Sequence, residues 1–246
     1  MKIENAVVLV TGANRGIGLA FTRELLARGA RKVYAGARDP STVTQAGVRA
    51  VRLDVTRPED VAAAAALAPD VTLVINNAGI AEAGGFLGPD SEAVTRRIFE
   101  TNFFSVLRVS KAFAPTLKAN GGGALLNVLS VASWANGGEL AAYSASKSAA
   151  WSLTNALRSE LAAQNTQVLA LHMGYVDTDL TRGLDVPKTS PEEIVRRALD
   201  GLESGLEEVL ADEITLQIKR GMTAPRPSYL PQRPEPTSTA IPQASA

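Results

Sequence analysis

Short runs of β-branched and aliphatic residues alternate along this chain with longer stretches in which Ala and Leu recur at helical spacing. The segments at residues 6–11, 32–37, 49–53, 72–76, 124–129, 167–172 and 208–211 read as strands. Helices fall between them: one begins near Gly16, one follows Pro58, a long one covers 91–118, another covers 143–163, and one starts after Ser190-Pro191. The last start is the best marked, because Ser190 can cap, Pro191 suits the first helical position and Glu193 completes a capping box. Strands that alternate singly with helices form βαβ units, so the pattern predicts an α/β fold, a doubly wound parallel sheet of about seven strands with helices on both faces. Beyond Thr223 the composition turns to Pro, Ser, Thr and Gln, with prolines at 225, 227, 231, 234, 236 and 242, which excludes a helix or a central strand. The expected organisation is one domain over 1–223 and a mobile, proline-rich tail over 224–246.

Composition narrows the chemistry. At 246 residues, 46% of them hydrophobic, the chain can bury one large core and is short for a second. Lys plus Arg equals Asp plus Glu at 25 each, which offers no electrostatic case for a nucleic-acid or membrane-surface partner and favours a small-molecule ligand. Cysteine is absent and His172 is the only histidine, so disulfides, thiol nucleophiles and His/Cys zinc sites are excluded. The start, Met1-Lys2-Ile3-Glu4-Asn5, runs straight into a strand without the basic and apolar regions of a signal peptide, and no apolar run reaches spanning length. The expectation is a cytoplasmic protein.

The first strand ends in Thr11-Gly12-Ala13-Asn14-Arg15-Gly16-Ile17-Gly18 and an amphipathic helix follows. Glycines at a first strand–helix junction let the backbone turn tightly and let a pyrophosphate reach the N–H groups at the positive end of the helix, as in Rossmann-type dinucleotide sites. In NAD-binding sheets an acidic residue at the end of the second strand holds the ribose 2′-hydroxyl and would repel a 2′-phosphate. Here the second strand ends in Gly36-Ala37-Arg38, so neutral Ala37, with cationic Arg38 beside it and Arg15 in the loop, favours NADP(H) over NAD(H). Asp39 takes the ribose role instead if the strand runs further.

Tyr143 and Lys147 lie one helical turn apart and share a face. A nearby ammonium stabilises a phenolate, which suits general acid–base work. Ser130 follows the fifth strand, at the carboxyl edge where open parallel sheets bind ligands, and Asn76-Asn77-Ala78-Gly79 closes the fourth strand facing the same crevice. Asn102 is a poor helix former in the long helix, with an amide free to hold a water or a backbone group. His172 reads as a strand residue and not as an acid–base group.

With these residues in this order, over roughly 4–215, the chain resembles the short-chain dehydrogenase/reductase family. Thr11 to Gly18 is similar to its TGxxxGxG cofactor loop, in which Gly12, Asn14, Arg15, Gly16, Ile17 and Gly18 are the contacts implied. Asp54-Val55 resembles its adenine-contacting pair, and Asn76, Ala78 and Gly79 belong to its NNAG motif. Asn102, Ser130, Tyr143 and Lys147 match its catalytic tetrad. The resemblance implies metal-free hydride transfer between nicotinamide and a carbonyl or alcohol carbon. In it Ser130 polarises the oxygen, Tyr143 transfers the proton, Lys147 holds the ribose and lowers the Tyr143 pKa, and Asn102 supports a water. Gly174, Val176 and Thr178 match the nicotinamide-contacting turn after the sixth strand, where Met173 replaces the family's proline and is expected to loosen the turn. Only 179–189 separate Thr178 from the next helix, which implies a short lid and an open site, lined by 134–138, for a small or flat hydrophobic ketone or aldehyde. A β-ketoacyl thioester is the second substrate class, although Arg196-Arg197 and Lys219-Arg220 form no strong basic patch for a carrier protein. A non-catalytic dinucleotide sensor or scaffold would need the glycine loop without Ser130, Tyr143 and Lys147. The family pattern also implies a homo-dimer or homo-tetramer through the 91–118 and 143–163 helices.

Overall fold

A computed structural model describes residues 1–136 and 138–230. Its strands are β1 (Val7–Thr11), β2 (Lys32–Ala37), β3 (Arg49–Arg52), β4 (Leu73–Asn76), β5 (Gly123–Val128), β6 (Thr166–His172) and β7 (Glu208–Leu210). The helices are α1 (Gly16–Ala27), α2 (Pro58–Leu67), α3 (Ser91–Phe99), α4 (Ser105–Ala119), α5 (Ala141–Leu161), α6 (Pro191–Glu203) and α7 (Glu213–Gly221). All strand pairings are parallel, in the order β3-β2-β1-β4-β5-β6-β7. The chain winds outward from β1 to β3, then crosses back to β4 and winds the other way. The carboxyl ends of β1 and β4 therefore diverge, and the crevice of a doubly wound Rossmann-type sheet opens there.

The apolar runs are continuous because both faces of the sheet are covered. Alternate residues Val8, Val10, Val33, Leu73, Ile75, Leu126 and Leu169 face one layer, where Phe21 and Leu25 of α1 pack with Ile194, Val195 and Leu199 of α6. Their neighbours Val7, Leu9, Val74, Leu125 and Val168 face the other, against Val61 of α2, Phe113 and Leu117 of α4, and Leu157 and Leu161 of α5. No helix of the described residues is long and apolar enough to cross a membrane.

The structure departs from the sequence reading at four places. The 91–118 stretch is α3 and α4 joined by a π-helical turn, Glu100–Phe104, which turns Asn102 inward. At α6, Ser190 Oγ accepts from Glu193 N at 3.2 Å, but the box is only half made, because the Glu193 carboxylate pairs with Arg196 and Arg197 at 2.6 Å. Charged partners one turn along outcompete the Ser190 backbone N–H. Helix α7, short and next to the prolines, is not among the expected helices; Asp212 caps it, Glu213 lies in its first turn and Lys219 and Arg220 in its last. Of the expected tail, residues 224–230 form turns on the end of α7, with Ser228 N donating to Gly221 O at 3.0 Å and Ser228 Oγ to Ile218 O at 2.7 Å. Residues 231–246 lie outside the described residues.

Candidate active site

The glycine loop fits a phosphate. Gly12 and Gly16 have φ of 64° and 53°, where L side chains are strained. A Cβ on Gly18 would lie 2.0 Å from Gly12 O and 2.6 Å from Asn77 Nδ2. Helix α1 begins with no side-chain cap and no acidic residue in its first turn, so its leading N–H groups are left for an anion from outside the helix. Asn77 Nδ2 donates to Thr11 O at 2.9 Å and Gly12 O at 3.1 Å, while Thr11 Oγ1 accepts from Asn77 N and Ala78 N at 3.0 Å each. These bonds fix the loop to the end of β4. Asn14 Nδ2 donates to Thr42 Oγ1 at 3.1 Å, Arg15 pairs with Asp179 at 3.0 Å, and Ile17 packs against the α1 side of the core.

At the end of β2, Ala37 is buried, and Arg38 just past it is exposed. Asp39 lies past the strand, where its Oδ1 accepts from Ser41 N at 3.0 Å and Ser41 Oγ at 2.7 Å, and these bonds hold its carboxyl below the usual range. It is thus committed to its own turn. Burial opposes the charge on Asp54, yet bonds from Thr56 and the attraction of Arg38 and Arg57 outweigh it and hold Asp54 low. Val55 is buried in the core, and its carbonyl accepts from Arg108 at 2.8 Å.

Ser130, Tyr143, Lys147 and Asn102 gather at the carboxyl ends of β4 and β5. Ser130 has extended backbone, and its Oγ accepts from Ala132 N at 3.1 Å. Lys147, 5% exposed, donates to Val128 O at 2.8 Å, with Nζ 5.8 Å from the Tyr143 ring centre. Asn102 accepts from Ile80 N and donates to Ile80 O, both at 2.9 Å, and donates to Ser146 Oγ at 3.0 Å. Ser146 in turn donates to Tyr143 O at 2.7 Å. Asn102 therefore holds backbone with its amide, and the inward π-helical turn is what brings it there. A Cβ on Gly79 would come within 3.3 Å of Asn102 Oδ1 and 3.7 Å of Lys147 Nζ, which makes room a reason for glycine.

Two expectations need correction here. Asn76 does not face the crevice. The alternation of β4 turns it inward, where Nδ2 donates to Asn127 Oδ1 at 2.9 Å and Ser110 Oγ at 3.3 Å, and Asn127 continues to Thr154 at 2.9 Å. Its neighbour Asn77, not singled out in the sequence, carries the loop contacts. The second concerns Tyr143, whose phenol is raised, not lowered: burial pushes it above its ordinary 10 and the Ser130 hydroxyl pulls only partly back. Lys147 does not offset this, because its ammonium is directed to Val128 O and burial pushes its own pKa down to about 8.

After β6, Gly174 N donates to Asp212 Oδ2 at 2.6 Å and Val131 N donates to Met173 O at 2.8 Å. These two hydrogen bonds hold the turn in which Met173 stands where the family has proline. A Cβ on Gly174 would meet Ile214 Cγ2 at 2.3 Å. Val176 is buried, and the Thr178 methyl lies 3.4 Å from where a Cβ on Gly16 would be, which sets this turn against the glycine loop. The 179–189 segment is closed at its base by Asp177 N to Thr189 O at 3.0 Å and Thr189 N to Tyr175 O at 2.9 Å. Leu180, Leu184 and Val186 on it are exposed. Of the expected lining, Asn136 and Gly138 are exposed and Ala135 is half-buried, but Trp134 turns into the protein and stacks on His172. Gly137 lies outside the described residues. His172, fully buried, is pushed by burial down to about 3 and stays neutral.

The short chain dehydrogenase family model matches residues 6–188. The chain belongs to the short-chain dehydrogenase family. One family structure, a short chain dehydrogenase from Burkholderia cenocepacia in complex with NADP, superposes with a TM-score of 0.88 at 40% identity, over 92% of this chain and 96% of that one. A short-chain dehydrogenase from Sphingobium yanoikuyae in complex with NADPH gives a TM-score of 0.75 at 28% identity, over 83% and 87% of the two chains. Among curated family members, the 3-oxoacyl-[acyl-carrier-protein] reductase FabG of Vibrio cholerae is 32% identical, over 75% of this chain and 79% of its own length. The galactitol 2-dehydrogenase of Cereibacter sphaeroides is 36% identical, over 73% and 75%.

Proposed function

We propose that this short-chain dehydrogenase reduces a small or flat hydrophobic ketone or aldehyde with NADPH, or oxidises the matching alcohol with NADP, with Tyr143 as the proton-transferring group. The reading is carried by one arrangement: Ser130, the Tyr143 phenol and Lys147 meet at the carboxyl edge of the sheet beside the glycine loop. Bound NADPH supplies a hydride to the carbonyl carbon. The Ser130 hydroxyl hydrogen-bonds the substrate oxygen and orients it, and Tyr143, kept protonated by burial, gives that oxygen its proton. Lys147, one helical turn along, would hold the cofactor ribose and replenish the proton, while Asn102 keeps the Ile80 and Tyr143 backbones in register through Ser146. Preference for NADP(H) rests on exposed Arg38 and loop Arg15, on neutral Ala37, and on an Asp39 already satisfied by Ser41. The NADP- and NADPH-bound neighbours support the same reading. Asp54 and Val55 take the adenine side.

The likeness to the FabG reductase favours a β-ketoacyl thioester as the second substrate class. Arg196 and Arg197 are engaged by Glu193, and Lys219 by Glu208, which argues against a carrier-protein patch at those cations. We place the protein in the cytoplasm, as a homo-dimer or homo-tetramer joined through the 91–118 and 143–163 helices, on the first of which Phe104 and Leu107 are exposed.

Loss of NADPH absorbance is followed with a panel of ketones, aldehydes and a β-ketoacyl thioester, beside a Tyr143→Phe control. Turnover in the wild type that vanishes in Tyr143→Phe, with NADPH affinity kept within about twofold, is the expected outcome. NADPH binding without turnover of any panel member would favour the sensor reading, and no binding would end the cofactor argument.

A further inference from the structure

Strand β6 leaves the sheet between two turns that the proposed reaction needs in fixed relation, the Ser130 turn and the Gly174–Thr178 turn. Each is gripped by a side chain outside the chemistry. His172, the last residue of β6 and fully buried, has Nδ1 3.1 Å from Ser130 O. A carbonyl oxygen only accepts, so the proton of the neutral ring sits on Nδ1 and is donated to Ser130 O. Nε2 stands 3.6 Å from Glu208 Oε1 and makes no hydrogen bond, consistent with an unprotonated nitrogen. Ser130 O also accepts from Ser133 N at 3.0 Å, so this carbonyl is held from two directions and the backbone that aims Ser130 Oγ is fixed.

The imidazole is itself locked. Trp134 stacks on it with ring centres 3.9 Å apart and planes at 24°, and Trp151 meets Trp134 edge-on at 6.2 Å. Lys219 Nζ, from α7, lies 4.5 Å over the Trp134 ring and is held by Glu208 at 3.0 Å. Past the end of β6, one Asp212 oxygen accepts from Gly174 N at 2.6 Å while the second caps α7 by accepting from Thr215 N at 2.9 Å. Both grips therefore lead to α7, one through its cap and one through its last turn.

We propose that His172 and Asp212 are positioning residues that tie the Ser130 turn and the cofactor-facing Gly174 turn to helix α7. The proposal rests on the roles given above to Ser130 and to the Gly174–Thr178 turn. It makes the two residues separable, because His172 acts through the substrate-orienting hydroxyl and Asp212 through the cofactor turn.

His172→Phe keeps an aromatic ring against Trp134 and removes the N–H. Asp212→Ser keeps a hydroxyl that can cap Thr215 and removes the second oxygen. His172→Phe is expected to lower kcat about tenfold with NADPH Kd within twofold, and His172→Asn, which returns an amide donor, to recover most of it. Asp212→Ser is expected to raise NADPH Kd about tenfold. Where His172→Phe does not fold, Lys219→Met at the half-buried end of the stack serves instead, with kcat expected about threefold down at unchanged NADPH Kd. Wild-type kcat in His172→Phe or Lys219→Met, unchanged Kd in Asp212→Ser, or parallel losses of kcat and Kd in both variants overturns the proposal. If the wild type turns over no panel member, the reductase reading fails alone, and the NADPH titration of Asp212→Ser still decides the Asp212 grip.

Discussion

Raising the pH across the titration of Lys147 tests whether its buried ammonium is needed. Lys147 is 5% exposed, with Val128 O as its hydrogen-bond acceptor, and burial carries its pKa from 10.5 to about 8. That gap is worth roughly 3 kcal/mol against the charged form. At pH 7 the side chain is still about 90% ammonium, but at pH 9 only about 10% remains, whereas an ordinary lysine would keep about 97%. The parameter to follow is kcat/KM for NADPH, because it reports the free enzyme's groups. It should break near pH 8 and fall about tenfold per unit above it. Tyr143 does not cause this limb, since its phenol is raised above 10. Nor does unfolding through Lys147: a lysine depressed on folding binds fewer protons folded than unfolded between 8 and 10.5, so its contribution to stability rises over that window. Circular dichroism at each pH checks the point. A profile flat to pH 10, or a break only near 10.5, would refute either the requirement for the ammonium or the burial argument.

Gly18→Ala puts a methyl 2.0 Å from Gly12 O, which is backbone and yields poorly. NADPH Kd should rise at least about tenfold and stability fall by about 1–3 kcal/mol, measured by titration and urea unfolding, and an unchanged Kd would contradict the loop assignment. Arg38→Asp should move the ratio of kcat/KM for NADPH to that for NADH toward NADH by about tenfold or more, and an unmoved ratio would put the 2′-phosphate elsewhere. His172, depressed from 6.5 to about 3, makes the folded state lose stability as pH falls between those values, by at most about 5 kcal/mol. Urea unfolding between pH 7 and 4 should be less acid-sensitive in His172→Phe, and an identical acid slope would show that the ring is not buried neutral.

The residues whose neighbours lie close in sequence were legible in it. Strands β1, β2, β4, β5 and β6 are legible because burial on both faces leaves a nearly unbroken apolar run, and the glycine loop because tight turning and helix start follow one another directly. Tyr143 and Lys147 share α5, so helical period alone puts them on one face. Other features depended on partners far along the chain. Asn102 needed a π-helical turn to reach Ile80, Asn76 turned toward Asn127 and Ser110, and Asp212 met Gly174. Helix α7 has a local cap in Asp212, but its contact of Lys219 over Trp134 leaves no trace in its nine residues. The direction of the Tyr143 shift depends on the packing in the same way, because spacing places a lysine one turn from a tyrosine but does not say how much water is excluded from the phenol or where the ammonium points. Periodicity reports which face of an element is buried, whereas hydrogen-bond partners and desolvation belong to the packed assembly of elements, and both are fixed only when the sheet has closed around them.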